Sequence, residues 1–457
     1  MSVSEGSSRY AGYVIDQYCV TILRRIASVV FLVALASCHR SVNKPQAKTI
    51  TVLLWTAGEA YRMDQQIIQD FTRQTGIRVR LVPASESASQ RLNQELNLFR
   101  SRSSAVDVLQ IDTIWTGILA NYLIDLKSAL GNQLSEESPA VIENATVSGR
   151  LVAAPFLVEY GLLYYRTDLL RKYGFSHPPR TWDELEAQSS RIQNGERANG
   201  RSDFWGYVWQ GADYEGLTCD ALEWQMSQGG GNILEPNRTV DLNNAAAIRS
   251  FERAAHWVGS ISPPGVIAYL EEDSRNVWQS GRAAFLRNWS YVYRLAMKSP
   301  EVKGRFSVAP MPAGADRHSS ALGGWYLGVS ANTTHRGEAM AFVKYMTGRD
   351  VQRRRAIGGA FLPTFTLLYR DPAVLAANPF FPAISGLPDR VVRRPAALAG
   401  AEYNDISRAY AHGVHLILTG KISASEGAAN IQAQISRLTG FTSEAQVLGA
   451  SANKERQ

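Results

Sequence analysis

A chain of 457 residues, 45% hydrophobic and 19% charged, is too long for one small core and lacks a disorder signature, so two domains or lobes are expected. The formal charge of +7 falls only to +6 without residues 1–37, which carry three Arg against Glu5 and Asp16. The densest basic run, Arg353–Arg355, follows a helical pattern without flanking aromatics and reads as a solvated helix face, which argues against nucleic acid as a partner. Three cysteines exclude a disulfide framework, and Cys219, on one helical face with Leu222 and Met226, reads as a small core residue.

In chain order, the first feature is the apolar run Ile26–Ser37 behind Arg24 and Arg25. Its length of about twelve residues is too short to span a bilayer as a helix but fits a secretory signal with a positive flank. The run stops at Cys38 in "LASC", which resembles the lipobox of bacterial lipoproteins, where the cysteine is diacylated through sulfur and becomes the new N-terminus. The resemblance implies a lipoprotein signal peptide over 1–37, a lipid anchor at Cys38 and a polar tether over 38–47 reaching roughly 30 Å when extended. No later stretch has 18 uninterrupted apolar residues, so the body is expected outside the cytoplasm.

Strand and helix patterns then alternate. "TITVLLW" (Thr49–Trp55) reads as a buried strand, and "DQQIIQDFTRQTG" as a helix with Ile67, Ile68 and Phe71 on one face and Gly76 as its stop. "IRVRLVPA" alternates like a half-buried strand, "DVLQID" (Asp107–Asp112) is a short strand, and "TIWTGILANYL" a helix after it. Thr181 caps a helix beginning in "TWDEL", and "GEAMAFVKYMTG" carries Ala339, Phe342, Val343 and Met346 on one face. This alternation implies an α/β fold with mostly parallel sheets, whose ligands bind beyond the carboxyl ends of strands. Trp55 to Glu59 and Asp112 to Trp115 both sit at such ends.

Enzyme signatures are missing: the chain has no GxSxG, HExxH, P-loop or post-strand GxGxxG motif. His412 and His415 have no third ligand in view for a metal, and no cofactor is expected. Glu215, Asp220 and Glu223 form the one carboxylate cluster that a secreted glycoside hydrolase could use, although Asp220 and Glu223 at i, i+3 read as well as a solvated face. More distinctive is the mixture of aromatics with amides and carboxylates in "FWGYVWQGADYEGL" (Phe204–Leu217), "RNWSYVY" and "LGGWYLG". Flat rings cover the apolar faces of a sugar while carboxylates, amides and Arg bond its hydroxyls, so this mixture points to a sugar pocket.

Taken in order, "VEYGLLYYRTDLLRKYGFSHPPRTWDEL", "FWGYVWQGADYEGLTCDALEW", "ISPP", "RNWSY" and "LGGWYLGVS" resemble the trehalose/maltose-binding proteins of ABC importers, within the family 1 extracellular solute-binding proteins. The resemblance runs from about Thr49 to Leu438. It implies a two-lobe, maltose-binding-protein-like α/β fold with a multi-segment hinge: 48–155 and 305–349 in the first lobe, 156–304 and 350–444 in the second, and a tail over 445–457. It also implies a monomer that closes on an α-linked disaccharide or glycoside and delivers it to permease subunits. With these positions carried over singly, Asp112, Glu159 and Arg394 would bond hydroxyls, Trp289 and Trp325 would stack, and Gly324 would supply a backbone contact. Glu59 lies in the first strand-to-helix loop, where the family often places a polar ligand group. The chain departs from the family at Glu159 (commonly Asp), Leu157 (commonly aromatic), Ser290 (commonly Pro) and Ala396–Ala399 (commonly tyrosines), so the preferred solute is open, a non-sugar included.

Overall fold

Buried strands and amphipathic helices build two sheets. The computed structural model describes residues 48–442 apart from 57, 85–87, 316–317 and 390, so the expected signal peptide (1–37), Cys38, the tether to 47 and the tail from 445 lie outside the described residues. The side chains at 58–60, 88–89 and 389 lie outside them too.

In chain order, β1 (Thr49–Leu54), α1 (Gly58–Thr75), β2 (Arg78–Pro83), α2 (Ala88–Arg100) and β3 (Val108–Asp112) lay down a parallel core in which β1 pairs with both β2 and β3. Gly76 ends α1 with φ of +73°, as its position predicts. A small hairpin, β4 (Thr146–Val147) and β5 (Arg150–Leu151), precedes β6 (Ala154–Tyr160) and β7 (Leu162–Arg166). Next come α3 (Trp182–Ala198), β8 (Trp205–Val208), α4 (Glu215–Ser227), α5 (Ala245–Trp257), α6 (Glu271–Gln279), β9 (Ala283–Asn288) and β10 (Phe306–Pro310). The chain continues through β11 (Ser320–Val329), α7 (Arg336–Met346), α8 (Arg349–Gly359), β12 (Val391–Val392), α9 (Tyr403–Leu418) and α10 (Ala424–Thr439).

The first sheet runs β2-β1-β3-β11, with β6 and β12 also paired to β11, and the second runs β10-β7-β9-β8. The first sheet mixes both senses, with three parallel pairings beside β11 antiparallel to β3 and β6, whereas the second is mostly antiparallel, β7 running against β9 and β10 and only β8 parallel to β9. Each antiparallel pair of these two sheets includes β6, β7, β10 or β11, the strands by which the chain passes from one sheet to the other. It crosses directly at Gly161, between β6 and β7, and again between β10 and β11. Strand pairing places Phe306–Pro310 in the second sheet and all of Ala154–Tyr160 and Val391–Val392 in the first. Segment bounds at 155, 305 and 350 drawn from the sequence therefore cut across strand membership.

Several local readings hold. Thr181 accepts the Glu184 amide at 3.2 Å as the cap of α3, and Ala339, Phe342, Val343 and Met346 are buried along α7. Cys219 is fully buried. The helix read over "TIWTGILANYL" is instead three short turns, 3-10 at Thr113–Trp115, α at Thr116–Leu119 and 3-10 at Ala120–Tyr122. The Arg353–Arg355 face is not simply solvated: Arg353 and Arg354 pair with Asp371 and Asp70, and Arg355 is buried against Asp64 with Phe156 and Phe361 under its guanidinium. Among the described residues no helix is long and apolar enough to cross a membrane.

Candidate functional site

The buried strand β3 ends in Asp112, whose carboxylate accepts the Ile114 amide and the Thr113 hydroxyl, both at 3.2 Å, and so caps the turn that follows. Burial pushes its pKa up, and the Arg394 guanidinium opposes that rise. Asp112 opens onto a cavity of about 920 Å³. Trp115 shares its wall on the first-sheet side, and Tyr214 and Glu215 at the start of α4 face them with Asn404 and His412 of α9. The wall thus mixes rings, amide, carboxylates and imidazole.

Arg394 follows β12 and is nearly sealed from solvent. Its Nη1 donates to Glu215 Oε1 at 2.7 Å, and its Nη2 to the Leu322 carbonyl at 3.0 Å and Thr113 Oγ1 at 3.4 Å. Glu215 is held further by the Tyr403 hydroxyl at 2.6 Å and the Ser407 hydroxyl at 2.5 Å. One ion pair therefore ties α4 and α9 to the first sheet beside Asp112.

Trp325 pairs with Asp112 across β11 and β3, and its half-buried indole meets Trp115 edge-on at 6.1 Å. Arg91 of α2 lies over its ring at 4.4 Å and over Trp55 at 5.0 Å. Gly324 just before it has φ of +122°, and a Cβ there would stand 2.3 Å from the Leu157 carbonyl oxygen, so both conformation and space require glycine. Trp289 follows β9, lies against Gly323, and donates through Nε1 to Glu271 Oε1 at 3.4 Å. Tyr214 of the cavity wall donates to the other Glu271 oxygen at 2.7 Å, so Glu271 links Trp289 to a wall residue. Glu159 of β6 accepts from the Ser290 hydroxyl and from the Tyr291 amide at 3.3 Å, and burial pushes its pKa up to about 7. Thus the two departures at Glu159 and Ser290 are partners.

Of the expected ligand residues, Asp112 lines the cavity itself, and Trp325 and Arg394 join it through Trp115 and Glu215. Trp289 joins it through Glu271 and Tyr214, Glu159 is bonded to Ser290 next to Trp289, and the side chain of Glu59, in the first turn of α1, lies outside the described residues. Trp115 and Tyr214 fall in stretches the sequence singled out without being named as ligand residues, while Asn404, Tyr403 and Ser407 were missed. A polar first turn on α9, "YNDIS", was the available signal.

Two further readings are corrected. Phe204, Tyr207 and Trp209 of "FWGYVWQGADYEGL" are fully buried around β8, where Trp209, Trp224 and Trp257 pack edge to face, so of those aromatics Tyr214 is the one on the cavity wall. Asp220 and Glu223 are no solvated face: both are fully buried on Arg287, at 2.7 and 2.8 Å. With Glu215 engaged as well, the carboxylate cluster is occupied by internal ion pairs and hydrogen bonds. His412 contacts Asp213 at 2.7 Å while His415 contacts the Gly211 carbonyl at 3.0 Å.

The family model for bacterial extracellular solute-binding proteins matches residues 58–353. The chain belongs to that family. This solute-binding protein is 38% identical over 422 residues, 92% of its length and 99% of the relative's, to a probable ABC transporter-binding protein of Deinococcus radiodurans. Among solved structures it resembles a maltose-bound MalE3 of T. maritima, with a TM-score of 0.78 and 34% identity over 86% of this chain and 100% of that one. The GacH receptor of Streptomyces glaucescens shares its fold, with a TM-score of 0.75 and 24% identity over 87% and 99% of the two chains. The solute-binding protein is thus a two-lobe substrate-binding component of an ABC transporter with sugar-binding neighbours, and not an enzyme.

Proposed function

We propose that the protein captures an α-linked disaccharide of the trehalose or maltose type, or a related glycoside, and passes it unaltered to the permease subunits of an importer. The likeness to the maltose-bound MalE3 carries this reading. The cavity supports it: about 920 Å³ lies at the upper end of small-molecule sites, and its wall offers rings beside hydroxyl-bonding groups. Asp112, Arg394 and Glu159 would bond hydroxyls directly or set the groups that do, Trp289 and Trp325 would stack, and the Gly324 backbone would lie against the sugar.

The lobes would close about Gly161 and the passage between β10 and β11, each lobe centred on one sheet. The protein would act as a monomer outside the cytoplasm, held near its permease by acyl chains on Cys38. Thermal unfolding of the chain from His39 onward, scanned against maltose, trehalose, sucrose, glucosylglycerol and monosaccharides, tests the class of ligand. A sugar at 100 times its Kd adds about 2.7 kcal/mol and raises the midpoint clearly. A shift with no sugar of the panel would move the assignment to a non-sugar solute.

A further inference from the structure

We infer that Arg287 is a positioning residue that sets the plane of the Trp289 indole and ties it to the strand carrying Gly323–Trp325. The inference rests on the reading of Trp289 as a ligand-facing ring. Arg287, on β9, is fully buried. Its Nε and Nη2 meet the two oxygens of Glu223 at 3.0 and 2.8 Å, Asp220 lies 2.7 Å from Nε, and Nη1 donates to Gln210 Oε1 at 3.1 Å. A fork held on three sides cannot rotate, so the plane of the guanidinium is fixed. Its Cζ lies 4.2 Å from the centre of the Trp289 ring, stacking distance for a cation on an indole.

The same carboxylate reaches the other sheet. Glu223 Oε1 also accepts the Ala321 amide of β11 at 2.8 Å, three residues before Gly324. Gly161, the direct crossing from β6 to β7, packs so closely that a Cβ would fall 1.8 Å from Glu223 Oε1 and 2.8 Å from Arg287 Nη2. The path from Trp289 through Arg287 and Glu223 to Ala321 therefore runs beside the crossing about which the lobes would turn. Trp325 is backed in the same way by Arg91, also fully buried and facing a buried Glu95. Each ring thus has a buried cation on one face, so a ligand would take the opposite face of a ring already held in place, at a lower ordering cost.

The test compares wild type, Arg287→Lys and Trp289→Phe in the chain from His39 onward, using maltose as probe and the near-ultraviolet circular dichroism of Trp289 obtained by difference against Trp289→Phe. Lysine keeps the charge that Asp220 and Glu223 require but loses the flat fork. Arg287→Lys is expected to bind maltose about tenfold more weakly, through faster release, at temperatures well below its unfolding midpoint, and to lose the Trp289 band. A purely structural Arg287 would lower the midpoint and leave both the Kd and the band unchanged, and that result overturns the inference. Should Arg287→Lys not fold, the neutral set Arg287→Met, Asp220→Asn and Glu223→Gln removes the ions together, and the same two readouts apply. If wild type binds no maltose, the sugar reading fails, and the Trp289 band alone decides whether Arg287 orients the ring.

Discussion

Arg394 and Glu215 join the first sheet to the helices beside the second: Nη1 donates to Oε1 at 2.7 Å across 179 residues of chain, beside the buried carboxylate of Asp112. Arg394 is nearly sealed, whereas Glu215 opens onto the cavity. Removing the cation alone strands Glu215 on two hydroxyls and removes the charge that opposes Asp112's raised pKa. Arg394→Met is therefore expected to lose about 3 kcal/mol of stability, and adding Glu215→Gln should restore most of it. Denaturant unfolding of the two variants checks this; a single variant as stable as wild type would show that the pair contributes nothing.

Glu159 gives the protein a dependence on pH with a definite sign. Folded Glu159 holds its proton to about pH 7, against an ordinary 4.5, because burial outweighs the bonds from Ser290 and Tyr291. Between those values the folded state binds more protons than the unfolded one, so stability falls as pH rises from 4.5 to 7 and levels off above. With a discount for its partial exposure, Glu159 contributes a loss on the order of 2 kcal/mol. Glu137, pushed up to about 8 by burial, adds a loss of the same sign, so the difference between wild type and Glu159→Gln isolates the first group. Unfolding midpoints across pH 4 to 8 should show a flatter profile for the variant; parallel profiles would contradict the assignment.

Gly324 tests the backbone of the site. Its φ of +122° and the 2.3 Å approach of the Leu157 carbonyl to any added Cβ leave no room for a side chain. Gly324→Ala is expected to cost about 2–3 kcal/mol, or to shift β11 off β6 and displace Trp325. A midpoint within a degree of wild type, with unchanged tryptophan fluorescence, would mean that the strand can relax there.

The proposed anchor is tested at Cys38. Cells grown with labelled fatty acid should incorporate it into the full chain and not into Cys38→Ser, which should also leave the detergent phase. Label retained by the variant would place the acyl chain elsewhere or remove it from the account.

Local signals were legible where their cause is local. The Thr181 cap, the Gly76 stop and the buried stripe of α7 each depend on residues within a turn or two. Asp112 was legible as the end of a buried strand. The misread residues owe their state to partners far along the chain. Asp220 and Glu223 look like a solvated face until Arg287 arrives from β9, 64 residues beyond Glu223, and Arg355 looks exposed until Asp64 meets it across 291 residues. Ser407 gave no sign of its role because that role is to hold Glu215, 192 residues earlier. The aromatics of β8 were misjudged for a related reason: composition does not distinguish a core of edge-to-face rings from a sugar platform.

Calorimetric titration of the chain from His39 with maltose, followed by mass analysis of the recovered sugar, tests the central claim most directly. The account predicts one site per chain, a Kd near micromolar (about −8 kcal/mol), intact maltose afterwards, and no detectable binding by a folded Trp289→Ala. Unchanged affinity in Trp289→Ala, or maltose recovered as glucose, would contradict it.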